Sequence, residues 1–140
     1  MKINIVEILE NTKWWKREPA TEEEISLLEK SFGKNLPPDY IALLRFSNGA
    51  SLYDFVTPLT VFSISEVLAL YKEFDLYANI PHSLIFGGDG GGTIYTYDLR
   101  DEHKPVLFFR EDDTRYESNI YKADTLSQMV SEIVNNKKLN

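Results

Sequence analysis

A chain of 140 residues, 43% hydrophobic and 26% charged, has the length of one domain and the balance of a globular protein able to bury its own core. With no cysteine, disulfides, thiolate zinc sites and cysteine nucleophiles are excluded, and a cytoplasmic location is the expectation. A net charge of −7 is a poor match to nucleic-acid phosphates, which need clustered Lys and Arg, and a better match to a basic partner.

No apolar run approaches the roughly 18 residues of a membrane span. Met1-Lys2-Ile3-Asn4 is not expected to open a signal peptide, because Glu7 and Glu10 interrupt the apolar stretch. Ile3 to Glu10 reads as a short helix with Val6 and Leu9 on one side. Lys13-Trp14-Trp15-Lys16-Arg17 mixes basic and aromatic residues but is too short for a helix lying on a membrane. The expectation is that one or both Trp rings cover an edge of the core while the charges stay wet.

Thr21 and Glu24 make a capping box, with acidic residues in the first turn where the helix dipole favours them. Ile25, Leu28 and Phe32 follow at helical spacing, and Gly33 supplies the left-handed stop. Pro38 suits the first turn of a second helix, whose buried side is Tyr40, Leu43 and Leu44 and which Asn48-Gly49 closes. Ser51 to Val56 has room for a short strand, and Leu59-Thr60-Val61-Phe62 is rich in β-formers. Ser63 with Glu66 is a second capping box. It opens a helix in which Val67, Tyr71 and Phe74 share a face with Leu68 beside them, ending before Pro81.

The second half reads as β. Ser83 to Phe86 is a short apolar run, and Gly87 to Gly92 reads as a tight turn supplied with positive φ by glycine. From Thr93 to Leu99 the residues alternate: Tyr95, Tyr97 and Leu99 point one way, Ile94, Thr96 and Asp98 the other. Val106 to Phe109 is apolar at successive positions, as in a central strand with both faces covered. Arg100 to Lys104 is the hairpin loop between them. Glu111 to Ser118 is acidic, with a short strand expected around Tyr116. Leu126, Met129, Val130 and Ile133 mark a last amphipathic helix that starts near Asp124 or Thr125.

Residues alone point to no reaction. The glycine run leads into a strand rather than a helix and has no Gly-Lys-Ser/Thr, so it is not a phosphate loop. His82 and His103 are isolated, and Asp89, Asp98 and Asp101 lack the spacing of a calcium loop. No nucleophile elbow or zinc-protease motif occurs. Adjacent acids such as Glu22 with Glu23 or Asp112 with Asp113 are read as solvated charge. The expectation is a protein that is not an enzyme and takes no cofactor and no metal.

The order helix, Gly33, Leu36-Pro37-Pro38-Asp39-Tyr40, helix, Asn48-Gly49, then Ile85-Phe86-Gly87-Gly88-Asp89-Gly90-Gly91-Gly92 running into a strand that ends in Asp98, resembles the SUKH superfamily, named for the Smi and Knr proteins of yeast. The similarity runs from about Thr21 to the last helix, and the Trp pair falls outside it. The resemblance implies one α+β domain over residues 1–140, its helices packed on a mostly antiparallel sheet. It also implies a bacterial immunity protein, which binds and neutralises a cognate toxin domain of a polymorphic or contact-dependent toxin system. Such a toxin is expected to be basic, and a nuclease would fit. Neither nucleic acid nor membrane is an expected partner, and the chain is expected as a monomer or weak homodimer. On this reading the docking residues are Glu111, Asp112 and Asp113, with Asp101 and Glu102 expected near the same end of the sheet and Tyr116 as an aromatic anchor. The alternative is a small-ligand or regulatory scaffold module of the same fold, with the glycine turn, Tyr95 and Tyr97 lining a pocket.

Overall fold

The computed structural model describes residues 4–52, 54–73 and 77–139. In chain order its elements are α1 (Ile5–Glu10), β1 (Trp15–Lys16), α2 (Glu22–Phe32), α3 (Pro38–Phe46), β2 (Ala50–Leu52), β3 (Leu59–Val61), α4 (Ile64–Lys72), β4 (Ser83–Gly88), β5 (Thr93–Asp98), β6 (Val106–Arg110), β7 (Tyr121–Ala123) and α5 (Leu126–Val134). The seven strands form one sheet in sequence order, each antiparallel to the next. This is the α+β class.

Local chemistry sets the helix limits. Both capping boxes form: the Thr21 hydroxyl accepts from the Glu24 amide and the Ser63 hydroxyl from the Glu66 amide, while each Glu reaches back to its cap residue. Gly33 ends α2 in the left-handed conformation, φ 67°. Pro38 opens α3, where a missing N–H costs nothing. In α1 the buried pair is Ile5 and Leu9, with Val6 only partly packed. The inward stripe is therefore set by the i, i+4 pair rather than by Val6 with Leu9.

Alternation along the strands builds two apolar layers. On one face Leu84, Phe86, Tyr95, Tyr97, Val106 and Phe108 join the buried residues of the helices in the main core. On the other face Ile85, Ile94, Leu107 and Phe109 meet Tyr77 and Ile80, with Leu70 of α4 and Tyr116 packed beside them. β6 is thus a central strand covered on both sides. Phe74, expected on the inward face of α4, lies outside the described residues.

Three segments differ from the sequence reading. Trp15 and Lys16 form an edge strand against β2, with Trp14 half-buried against Phe46 at 5.7 Å and Trp15 69% exposed. Only one of the two rings therefore covers the core. Tyr116 to Ser118 is a 3-10 turn, and the pairing strand comes later, at Tyr121–Ala123. The glycine run is divided: Gly87 and Gly88 belong to β4, while Gly90 and Gly92 take positive φ of 76° and 106° in the turn.

Burial pushes the phenols of Tyr40, Tyr77, Tyr95 and Tyr97 well above their ordinary 10.0. The folded state therefore keeps protons that the unfolded chain releases. Its stability is complete below the ordinary phenol value and falls as pH rises above it. An alkaline titration followed by phenolate absorbance should show these tyrosines ionising only together with cooperative unfolding. Free, reversible ionisation near the ordinary value with the fold intact would contradict their burial.

Candidate functional site

β5 and β6 pair with Thr93 opposite Arg110 and Tyr97 opposite Val106. The hairpin loop after Asp98 therefore lies at one end of the sheet, and Glu111 to Asp113 at the other. Four residue steps of β6 separate them, about 13 Å of strand before either loop is counted. The expectation that Asp101 and Glu102 sit near Glu111–Asp113 is corrected: antiparallel pairing puts a strand's two flanking loops at opposite ends.

At the Glu111–Asp113 end, the Glu111 amide donates to the Gly92 carbonyl at 2.8 Å, which ties the acidic loop to the glycine turn. Glu111 and Asp112 are exposed and Asp113 is partly buried. Asp112 pairs with Arg110 at 3.2 Å, and Asp113 with Arg115 at 2.7 Å. The Arg115 hydrogen bond, with a second from Ser118, holds the Asp113 carboxyl below its ordinary range. The loop is thus acidic but partly neutralised by its own arginines. Among the described residues Glu111 makes no salt bridge. Gly91, Gly92, Arg110, Glu111, Asp112 and Ile120 line a concavity of about 640 Å³ here. Ile120, 43% exposed, is an apolar surface that sequence reading missed. It lies between two short elements and belongs to no periodic pattern.

Tyr116 is drawn away from this loop. The Arg100 guanidinium stacks on its ring at 3.3 Å from the centroid, and its edge meets Phe109. Asp98, 7% exposed, fixes that arginine through two parallel hydrogen bonds of 3.0 Å. The aspartate that ends β5 therefore works as a clasp, holding Arg100 over Tyr116 and closing the second apolar layer.

The opposite end holds a larger cleft of about 880 Å³ between the Leu36–Asp39 turn, the start of α5 and the Glu102–Lys104 loop. Asp39 accepts from both the amide and the hydroxyl of Ser127, at 2.8 and 3.0 Å, and so joins the first turn of α3 to the first turn of α5. Tyr97 lies in the floor of this cleft. Asp101 accepts from the His103 amide at 2.8 Å and shapes the loop, while Glu102 is exposed on the rim. Tyr95 and the glycine turn do not share the cleft: the Tyr95 hydroxyl donates to the Pro58 carbonyl at 2.7 Å instead.

Among the described residues no group of His, Asp and Glu is arranged to hold a metal ion, and no helix is long and apolar enough to cross a membrane. The profile of the SMI1 / KNR4 family (SUKH-1) matches residues 19–132. The chain belongs to that family. Among curated proteins none matches the chain. The SUKH-1 match begins after the Trp15–Lys16 edge strand and ends inside α5. The glycine turn, the Asp98 clasp and the Asp39 link between helices all fall within it.

Proposed function

We propose that this SUKH-1 domain is an immunity-type inhibitor that binds a basic toxin domain, without catalysis of its own, through the end of the sheet formed by Glu111, Asp112 and Asp113. Family membership supports the class of function, since many bacterial SUKH proteins look like immunity proteins. The observation that supports the site is an exposed acidic loop beside an exposed Ile120 in one concavity. An apolar centre with charged surroundings is the usual anatomy of a protein interface. Tyr116, held beneath Arg100, does not line this concavity and is not part of the proposed surface. The partner interface should be of ordinary size, on the order of 1,600 Å² in total.

Complementary charge acts mainly on the rate of association. Replacing Glu111, Asp112 and Asp113 together by Ser should slow binding roughly tenfold at low salt and flatten its salt dependence. Fold stability should barely change, because Glu111 makes no salt bridge among the described residues and the pairs of Asp112 and Asp113 lie at the surface, where such pairs are worth little. The measurement is association rate against ionic strength, using the toxin domain encoded beside this gene. An unchanged rate and salt response would move the interface elsewhere. If co-expression neutralises no neighbouring toxin, the immunity reading itself falls.

A further inference from the structure

The cleft at the other end of the sheet contains a polar group that the fold does not use. Tyr97 is fully buried in its floor, packed 5.3 Å from Tyr40 and 4.7 Å from Phe86 between ring centroids. Its hydroxyl has no hydrogen-bond partner among the described residues. Phenylalanine would fill the same space without stripping a hydroxyl of water, so the oxygen answers no packing need.

The surrounding charge says what could meet it. Asp39, Glu102 and Asp124 line the cleft against Lys104 and the His103 imidazole. An anion would ordinarily be drawn to the start of α5. That place is taken: Asp39 accepts from the Ser127 amide, and the Thr125 hydroxyl from the Gln128 amide. Both Asp39 bonds fall on Oδ2, and Oδ1 makes no hydrogen bond among the described residues. A carboxylate oxygen and a phenol oxygen are therefore both short of donors. Leu36, Pro37 and Pro38 provide an apolar wall beside them.

We infer that this cleft receives an arginine side chain of a protein partner, its alkyl stem along Leu36 and Pro37 and its guanidinium donating to Asp39 Oδ1 and Tyr97 Oη. Arginine fits better than lysine because its planar fork offers several donors in fixed directions, and its weaker hydration makes a partly buried seat cheaper. The stem gains by lying on apolar surface while the head is paired. Glu102 and Asp124 at the rim add attraction, and Lys104 opposes it. This rests on the reading of the domain as a binder of a basic protein, and it gives that partner a second, specific contact distinct from the acidic loop.

The test does not need the toxin. The folded domain is titrated with N-acetyl-arginine amide and followed by amide resonances, with N-acetyl-citrulline amide as the neutral isostere. The arginine probe should bind in the millimolar range and shift Leu36, Glu102 and Ser127, and citrulline should not. Tyr97→Phe should keep or raise the melting temperature and weaken the probe about tenfold, as loss of one hydrogen bond to a charged group does. Lys104→Ala should tighten it. Equal response to citrulline, no arginine response, or an unchanged affinity in Tyr97→Phe would overturn the inference. Destabilisation by Tyr97→Phe would show the hydroxyl already paired within the fold and overturn it too. A toxin neutralised through the acidic loop by a domain that ignores the probe would leave the immunity reading intact and remove this one alone.

Discussion

Phe108→Ala should remove about 3–5 kcal/mol of stability, enough to leave a domain of this size marginal or unfolded. Phe108 is fully buried in the main core, stacked on Tyr95 at 4.0 Å and against Tyr121 at 4.6 Å. Truncation loses the transfer energy of the ring and leaves a cavity that strands on both sides prevent from collapsing. Leu107→Ala, on the opposite face with Ile85, Ile94 and Phe109, should cost about 2–5 kcal/mol by the same reasoning. The pair matters because the two residues point into different layers. Large losses at both positions are what a strand covered on two sides produces. An unmoved denaturant midpoint for either would mean that its layer is not packed.

That two-sided strand was legible in advance because Val106 to Phe109 is apolar at every position. Helix starts were equally legible, since Thr21 with Glu24 and Ser63 with Glu66 state their chemistry within four residues. Short pairing segments were not. β1 consists of Trp15 and Lys16 and β7 of Tyr121 to Ala123, too few residues to show an alternating pattern. Their strand character comes from the ladders of β2 and β6 beside them. The turn at Tyr116 was misread because its aromatic character suits a strand. In the fold, that ring is instead held flat beneath Arg100 by the Asp98 clasp.

The proposed binding surface was legible only in part, for a related reason. Sequence lists acids but does not say which end of a sheet they occupy. The β5–β6 register sends Glu111 to Asp113 one way and Glu102 the other. Nor does it reveal that Arg110 and Arg115 fold back onto Asp112 and Asp113. Alternation put Tyr97 on one face with Tyr95 and Leu99 without saying which way that face turns, and its unpaired oxygen became visible only once Tyr40, Phe86 and Asp39 were placed around it. The chain's acidity is therefore found at both ends of the sheet, in the Glu111–Asp113 loop and in the cleft lined by Asp39, Glu102 and Asp124.

Gly87→Ala should be as damaging as the loss of a core ring, at about 3 kcal/mol or more, although it adds a single methyl group. A Cβ at Gly87 would lie 2.2 Å from the Thr60 carbonyl oxygen and 3.3 Å from the Val61 Cα. Both atoms are backbone, and no side-chain rotation relieves them. Gly87 pairs with Val61, and the β4–β5 register shifts between Ile85 and Gly87, so here the neighbouring main chain leaves no room for a Cβ. Relief requires β3 to part from β4, which would pull Leu59 and Val61 out of the core and loosen β2 and β1 beyond them. Two neighbours in the same run serve as controls. Gly91→Ala meets only the Asp89 carboxylate, at 3.6 Å or more, and should be close to neutral. Gly90→Ala has open space but a φ of 76°, and should cost roughly 1 kcal/mol. Denaturant midpoints for the three, with hydrogen exchange on the β3 amides, rank them. If Gly87→Ala melts together with Gly91→Ala, the β3–β4 approach is wrong. The predicted order would instead show that the front of the glycine run is there so that two backbones can touch, and that only its rear is a turn.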